Sequence, residues 1–223
     1  MAEPAPPGGD AIPAELIPFL PGATADTWVK VAPLVPESAY LAGGTGLTVH
    51  LHHRVSRDLD FMLEHDEDLE GLRERLAAVG RLGVTYQDEG TLTGMLDGAR
   101  VQFLRASDQA MLRGPTVVAG IRVASVEDIL AMKLKVIMDR GELRDYFDLM
   151  EIDRTAIRVE EGIALFLEKY GPRDPDQPVA VVVRSLAYLD DVADDPALPV
   201  DRGTIHDYWT TRQREVIENL SRR

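Results

Sequence analysis

Two short stretches hold residues able to work on a phosphoanhydride. In Asp58-Leu59-Asp60 two carboxylates stand two residues apart, and the run to Leu63 alternates polar and apolar before turning fully apolar, which predicts a strand. Period two then puts both carboxylates on one face and Leu59 and Phe61 on the other. Neighbouring carboxylates repel unless a cation lies between them. Mg2+ suits that place, because it keeps waters and takes substrate phosphates as its remaining ligands. Upstream, Gly43-Gly44-Thr45 separates a short strand, residues 39–42, from a helix expected over 45–55. Free backbone N–H groups at such a helix start, with the helix dipole, favour a phosphate anion. Glycine lets a triphosphate lie close to the chain, and Thr45 adds a hydroxyl. Alone, the glycines read as a plain turn and the aspartates as the exposed face of an edge strand. Joined by about three turns of helix, they return to one end of a sheet, where a metal can bridge carboxylates and phosphates. The chemistry that uses this is in-line displacement at the α-phosphate of a nucleotide.

Other residues flank or follow this pair. Arg54 is a candidate phosphate contact. Ser56 is a candidate to place the phosphate or to cap the turn, and Arg57 reads as solvated. Asp145 and Asp148 share a helix face at i, i+3, whereas Lys133 and Lys135 cannot share one, so only one lysine points inward. A salt-bridged helical hairpin, with Lys133 and Arg144 on the aspartates, accounts for the same residues in purely structural terms. His50, His52 and His53 invite a metal reading, but with no cysteine and no adjacent acid they read better as packing or capping residues. Trp28 and Trp209 read as core. Arg212, Arg214, Arg222 and Arg223 read equally as a basic track for RNA or as a solvated helix face.

The elements that must hold these residues divide at about residue 115. Residues 1–12 read as a disordered lead-in, since Met1 to Gly9 is rich in Pro and Ala and has no basic residue of a signal peptide. Residues 13–115 read as an α/β core. It has short helices at 12–19 and 27–32, then the strand, helix and strand of the glycine and aspartate signals, a helix over 68–79, and strands at 84–88, 91–96 and 100–104. Asp97-Gly98 marks a hairpin turn between the last two. Residues 116–223 read as helical, with helices from Ile129 to Met138, Glu142 to Ile152, Val159 to Tyr170 and Asp207 to Arg223, and a break at Asp139-Arg140-Gly141. Residues 171–178 and 193–199 read as loops, and 179–189 fits a helix or an extended segment.

The 223 residues have room for one large domain or two small ones. The formal net charge of −14 argues against a chain that coats itself in nucleic acid, though not against a local basic track, and it suits a basic partner. The absence of cysteine removes disulfides, thiolate zinc sites and a cysteine nucleophile, so any metal rests on oxygen ligands. No apolar run is long enough to span a bilayer, and a cytoplasmic protein is expected.

Leu41-Ala-Gly-Gly-Thr-Gly-Leu47 followed by His53-Arg-Val-Ser-Arg-Asp-Leu-Asp-Phe61 resembles the AbiEii/AbiGii toxin family of nucleotidyltransferases, within the DNA polymerase beta-like superfamily that includes MenT-like toxins. A second block, Ala131-Met-Lys-Leu-Lys135 and then Asp139-Arg-Gly-Glu-Leu-Arg-Asp-Tyr-Phe-Asp-Leu149, supports the likeness, which spans about residues 40–150. The resemblance implies a nucleotidyltransferase-type mixed sheet with helices, an α/β (α+β) fold, followed by a helical C-terminal half. It implies Gly43, Gly44 and Thr45 as the phosphate turn, Asp58 and Asp60 as the Mg2+ ligands, and Ser56 as the motif serine. It implies Lys133 as the lysine on the triphosphate, and Arg144, Asp145 and Asp148 as a downstream charged motif. By the same resemblance the chain is expected to be the toxin of a bacterial toxin–antitoxin pair. It would move a nucleotide from an NTP to the 3′ end of tRNA and so block translation, with a cognate antitoxin as partner. Transfer to a small molecule or a protein, and a nucleotide- or partner-binding module without turnover, are the alternatives. One departure stands out: Gln102 occupies the position where relatives in the wider superfamily carry a third carboxylate. The general base is then absent, replaced by Asp145 or Asp148, or its task falls to the metal.

Overall fold

The computed structural model describes residues 11–222 except 108, 110, 140 and 173. The expected lead-in up to residue 10, the expected break at Arg140 and the terminal Arg223 lie outside the described residues. The sequence suggests one boundary near residue 115, but the chain divides discontinuously. Of the described residues, one compact unit takes those up to Thr45, Val55–Asp108 and Pro115–Val123; the other takes Gly46–Arg54, Gln109–Gly114 and Ala124–Arg223.

The first unit is built on a seven-stranded mixed sheet. Its elements are α1 (Gly22–Val31), β1 (Ala39–Leu41), the first turn of α2 (Gly43–Leu51), β2 (Asp58–Leu63), α3 (Leu69–Val79), β3 (Leu82–Gln87), β4 (Thr91–Leu96), β5 (Ala99–Arg105), β6 (Thr116–Val118) and β7 (Ile121–Val123). The strand order is β3-β4-β5-β2-β1-β7-β6. β2 pairs in parallel with β5 and β1 in parallel with β7, while the other neighbours are antiparallel. β1 is buried on both faces, as its uninterrupted apolar run requires of a central strand. β2 alternates: Leu59, Phe61 and Leu63 are buried, and Asp58, Asp60 and Met62 are half-buried. β5 follows the same rule with Val101 and Phe103 inward, and the paired Phe61 and Phe103 rings stack at 4.8 Å. Helices α1 and α3 lie on this sheet, α1 against β2 and β5 and α3 against β4. Asp68 caps α3 by accepting from the Gly71 N–H at 3.0 Å.

Several boundaries differ from the sequence reading, each for a local reason. The expected helix over 12–19 is only a 3-10 turn at Ile17–Phe19. α1 starts five residues before the expected 27, directly after Pro21, a residue well suited to a helix entry. β6 and β7 were not legible: they are three residues each, and their turn uses Ala119 and Gly120, at φ +44° and +79°, where an Asn-Gly or Asp-Gly signal would have marked it. The expected Asp97-Gly98 hairpin is present, with φ +49° and +95°.

The second unit gathers α4 (Val126–Asp139), α5 (Leu143–Thr155), α6 (Val159–Tyr170), α7 (Asp176–Leu186) and α8 (Arg202–Ser221) with the later turns of α2. α4 is central, packing on α5, α6 and α7, while α8 lies across α5, α6 and α7. Residues 179–189 resolve largely into α7, whose Pro178 fits within its first turn, so the expected loop is shorter than 171–178. α8 begins at 202 rather than 207, because Asp201 caps it by accepting from the Thr204 N–H at 2.8 Å. Trp209 is fully buried and donates through Nε1 to the Tyr146 carbonyl at 2.9 Å. In the first turn of α4, buried Asp128 accepts from Lys169 Nζ at 2.8 Å and from the Leu112 and Arg113 N–H groups, so its charge is matched and hydrogen-bonded. Among the described residues no helix is long and apolar enough to cross a membrane.

Candidate active site

In the first unit the glycine turn and the aspartate pair meet. The Ala42 N–H donates to the Asp60 carbonyl at 2.8 Å, which ties the end of β1 to β2. The chain then turns into α2 at Gly43, whose φ of +61° suits glycine. A Cβ at Gly43 would lie 2.6 Å from Asp60 Oδ2, so only glycine lets the backbone approach this carboxylate so closely. Asp58 and Asp60 present their side chains on the half-buried face, each about one-fifth exposed. Two oxygen-donor side chains, partly open to solvent and pressed against the start of a helix, suit a divalent cation that takes its remaining ligands from phosphate and water. Among the described residues no group of three or more His, Cys, Asp and Glu side chains could enclose a metal.

Thr45 and Ser56 face inward from this site. Thr45 is fully buried and donates to the Asp58 carbonyl at 2.5 Å. Its single hydroxyl proton is thereby used, so Ser56 is the donor in the 2.8 Å bond between the two hydroxyls. The Ser56 N–H donates to the Phe19 carbonyl at 3.0 Å. Both hydroxyls therefore fasten the α2 turn to β2, and Thr45, whose proton is used there, has none to offer a phosphate, contrary to the expected hydroxyl contact. Ser56 takes the turn-fastening role and leaves the phosphate-placing one.

Gln102 has a distinct part. β5 runs parallel to β2 with Asp58 opposite Arg100 and Asp60 opposite Gln102. Arg100 Nη1 reaches Asp60 Oδ1 at 3.3 Å and Asp58 Oδ2 at 3.9 Å. Arg100 Nη2 donates to Gln102 Oε1 at 2.9 Å, and Gln102 Nε2 donates to Thr93 Oγ1 at 3.1 Å. The sequence reading missed Arg100 as a site residue, because only the pairing register brings it to the aspartates.

In the second unit Asp148 is the hub of a buried ion cluster. Its carboxylate accepts from Arg54 Nε at 2.5 Å and Nη2 at 2.8 Å, and from His53 Nε2 at 2.7 Å, and it lies 2.7 Å from Lys133 Nζ. Burial would raise its pKa, but Lys133 and the hydrogen bonds from Arg54 and His53 outweigh that and hold it far below the usual carboxylate range. Lys133 also donates to Asp145 Oδ1 at 2.8 Å, and Asp145 Oδ2 accepts from the Glu142 N–H in a capping box at the start of α5. Burial disfavours the charged Lys133, yet Asp145 and Asp148 more than offset it and its pKa is raised. Of the two lysines, Lys133 is the inward one, while Lys135 pairs with Asp139 at the surface.

These distances correct three expectations. Arg54 is clamped on Asp148, so it is not an open phosphate contact. Arg144 meets Glu142 at 2.6 Å, where the hairpin reading put it on the aspartates. Asp148, fully buried and held ionised, is too weak a base to take a proton from an attacking hydroxyl, and both Asp145 oxygens are engaged. Of the histidines, His50 Nε2 is bonded to the Ala124 carbonyl at 2.8 Å, and His53 stacks on Phe147 within the Asp148 cluster. Trp28 is fully buried, as expected. Arg212 is not part of a surface track. It is buried and bound to Asp153 at 2.8 Å and Glu160 at 2.6 Å, whereas Arg222 is exposed beside Glu218.

The sheet and the helices resemble solved structures at the level of fold. A Helicobacter pylori protein described as a nucleotidyltransferase superposes with a TM-score of 0.56 at 20% identity, covering 88% of this chain and 93% of that one. JHP933 from Helicobacter pylori gives 0.55 at 19% identity over 95% of both chains. In sequence, an uncharacterised protein of Aquifex aeolicus is 28% identical over 187 residues, which cover 81% of this chain and 88% of that protein. The family described as nucleotidyl transferase AbiEii toxin of type IV toxin–antitoxin systems matches residues 30–221, nearly the whole chain. A glycine turn against an Asp-x-Asp strand in the first unit and a Lys-Asp-Asp cluster in the second thus sit in a chain that belongs to the AbiEii nucleotidyltransferase toxin family.

Proposed function

We propose that this nucleotidyltransferase moves a nucleoside monophosphate from an NTP to the 3′ end of tRNA, with Mg2+ held by Asp58 and Asp60, and that the modified tRNA halts translation. The close approach of the Gly43 backbone to Asp60 carries the reading, because it sets a phosphate-binding helix start beside the two oxygen ligands. Gly43 and Gly44 present backbone N–H groups to the triphosphate, and Thr45 with Ser56 fixes that turn. A bound Mg2+ would neutralise charge on the α-phosphate and the leaving pyrophosphate and lower the pKa of the attacking hydroxyl. That supply fits a site whose strand carries Gln102 where a third carboxylate would act as base. Arg54, Lys133, Asp145 and Asp148 act by holding one another, which fixes α4 and α5 against the segment that follows α2. A cognate antitoxin restrains the activity in a cytoplasmic setting.

Incubation with each labelled NTP, Mg2+ and total tRNA tests this. Label on the tRNA 3′ end, lost in Asp58→Ala and Asp60→Ala, is the expected outcome. Label on a small cationic acceptor or on protein would replace the tRNA assignment, and the net charge of −14 favours such an acceptor as the second reading. No transfer to any acceptor, together with unchanged toxicity of Asp58→Ala, would remove the catalytic reading.

A further inference from the structure

The strand position that would hold a third carboxylate instead holds an arginine in place. Thr93 Oγ1 accepts from Gln102 Nε2, which turns the amide so that Gln102 Oε1 faces Arg100. Arg100 Nη2 donates to that oxygen, and Nη1 of the same guanidinium leans to Asp60, nearer than to Asp58, which stands directly opposite in the register. The guanidinium thus sits as a cation against the two carboxylates proposed to hold the metal. Its side chain is more than one-third exposed, so it has room to move away.

We propose that Arg100 is a resident counter-ion of the Asp58–Asp60 pair, which the divalent cation of an incoming metal–triphosphate complex displaces and whose guanidinium the triphosphate takes up. This rests on the metal reading given above. With Arg100 in place the carboxylates are already compensated, so a bare divalent cation meets a site of reduced negative charge and binds weakly. A nucleotide–metal complex brings anionic oxygens that give the displaced guanidinium a bidentate partner. Metal and nucleotide therefore bind together rather than in sequence. Gln102 is central to this behaviour. Uncharged, it orients the arginine without holding it by charge, and it adds no third anionic ligand that would retain a metal without nucleotide.

The test is Mn2+ binding, read by electron paramagnetic resonance of the free ion and by calorimetry, on the intact protein with and without a non-hydrolysable NTP. Removing a unit positive charge a few ångströms from the pair should tighten nucleotide-free Mn2+ binding about tenfold in Arg100→Gln. In the same variant, NTP affinity at saturating Mn2+ should fall several-fold. Gln102→Leu, which keeps the charge but frees its orientation, should show a smaller gain in Mn2+ affinity. Unfolding curves establish that both variants are folded. Equal Mn2+ affinity in wild type and Arg100→Gln would overturn the counter-ion role while leaving the metal site intact. Unchanged NTP affinity in Arg100→Gln would overturn the hand-over to phosphate. No Mn2+ binding by wild type or Arg100→Gln, with or without nucleotide, would overturn the metal reading and this proposal together.

Discussion

Gly43 shows how one residue can set the geometry of the proposed site while contributing little to stability. Its φ of +61° costs a side-chain-bearing residue about 1–2 kcal/mol, and a new Cβ would press on Asp60 Oδ2, the far end of a movable side chain. Gly43→Ala should therefore leave the protein folded, with a modest fall in Tm, yet lower nucleotide transfer by two orders of magnitude or more as Asp60 is pushed from its place. Activity assayed beside thermal melts checks this. Asp148→Asn should behave in the opposite way. It leaves Arg54 and Lys133 buried without their shared carboxylate, a loss of about 3–5 kcal/mol, visible as a lower denaturation midpoint in urea. The two aspartates of the site were readable from the sequence because period two on a strand is a rigid rule. The partner of Arg54 was not, because Asp148 lies 94 residues away and no local pattern reports a contact at that range.

At the scale of elements, the helices were legible in proportion to their own periodicity and caps. α3, α5 and α6 follow the apolar spacing that announced them, and of two lysines that cannot share a face one, Lys133, turned inward. The three-residue strands β6 and β7 escaped because so short a run carries no alternation. The part played by Arg100 escaped for a different reason. It follows from the parallel pairing of β2 with β5, which sequence neighbours do not encode. The outer strand carries a different irregularity. β3 is an edge strand with Val84 and Tyr86 well exposed, and its pairing with β4 shifts between these two residues. That irregularity and the twist it brings blunt an edge otherwise open to strand addition. Replacing Thr85, the residue at the shift, by deletion should restore a regular edge and raise the tendency to self-associate, measurable by light scattering at high concentration.

For the whole molecule, acid is the predicted weakness. Burial alone would raise Asp148, Asp153 and Glu160, but their cationic and hydrogen-bonding partners hold all three below their ordinary values. Carboxylates with depressed folded-state pKa values stabilise the fold at any pH above their unfolded values and lose that contribution as pH falls toward the folded ones. Tm should thus stay nearly level from pH 8 to about 5, then drop steeply below about pH 4. Arg212→Met, which removes the shared partner of Asp153 and Glu160, should lower Tm at neutral pH and flatten the acid limb, since those two carboxylates then lose their reason to stay ionised. A titration of melting temperature for both proteins reads each effect.

Arg212 also sets an order of events. The carboxylates it satisfies are on α5 and α6, and they precede it in the chain by 59 and 52 residues. During synthesis those two helices emerge carrying acidic groups that cannot be taken into an apolar interior without their cation. Arg158 is at hand for Asp153 at 3.3 Å, but Glu160 is paired with Arg212 and waits for the middle of α8 to arrive. A nascent chain halted between residues 160 and 212 should therefore be more open to proteases than the full chain, which limited proteolysis of stalled chains reads.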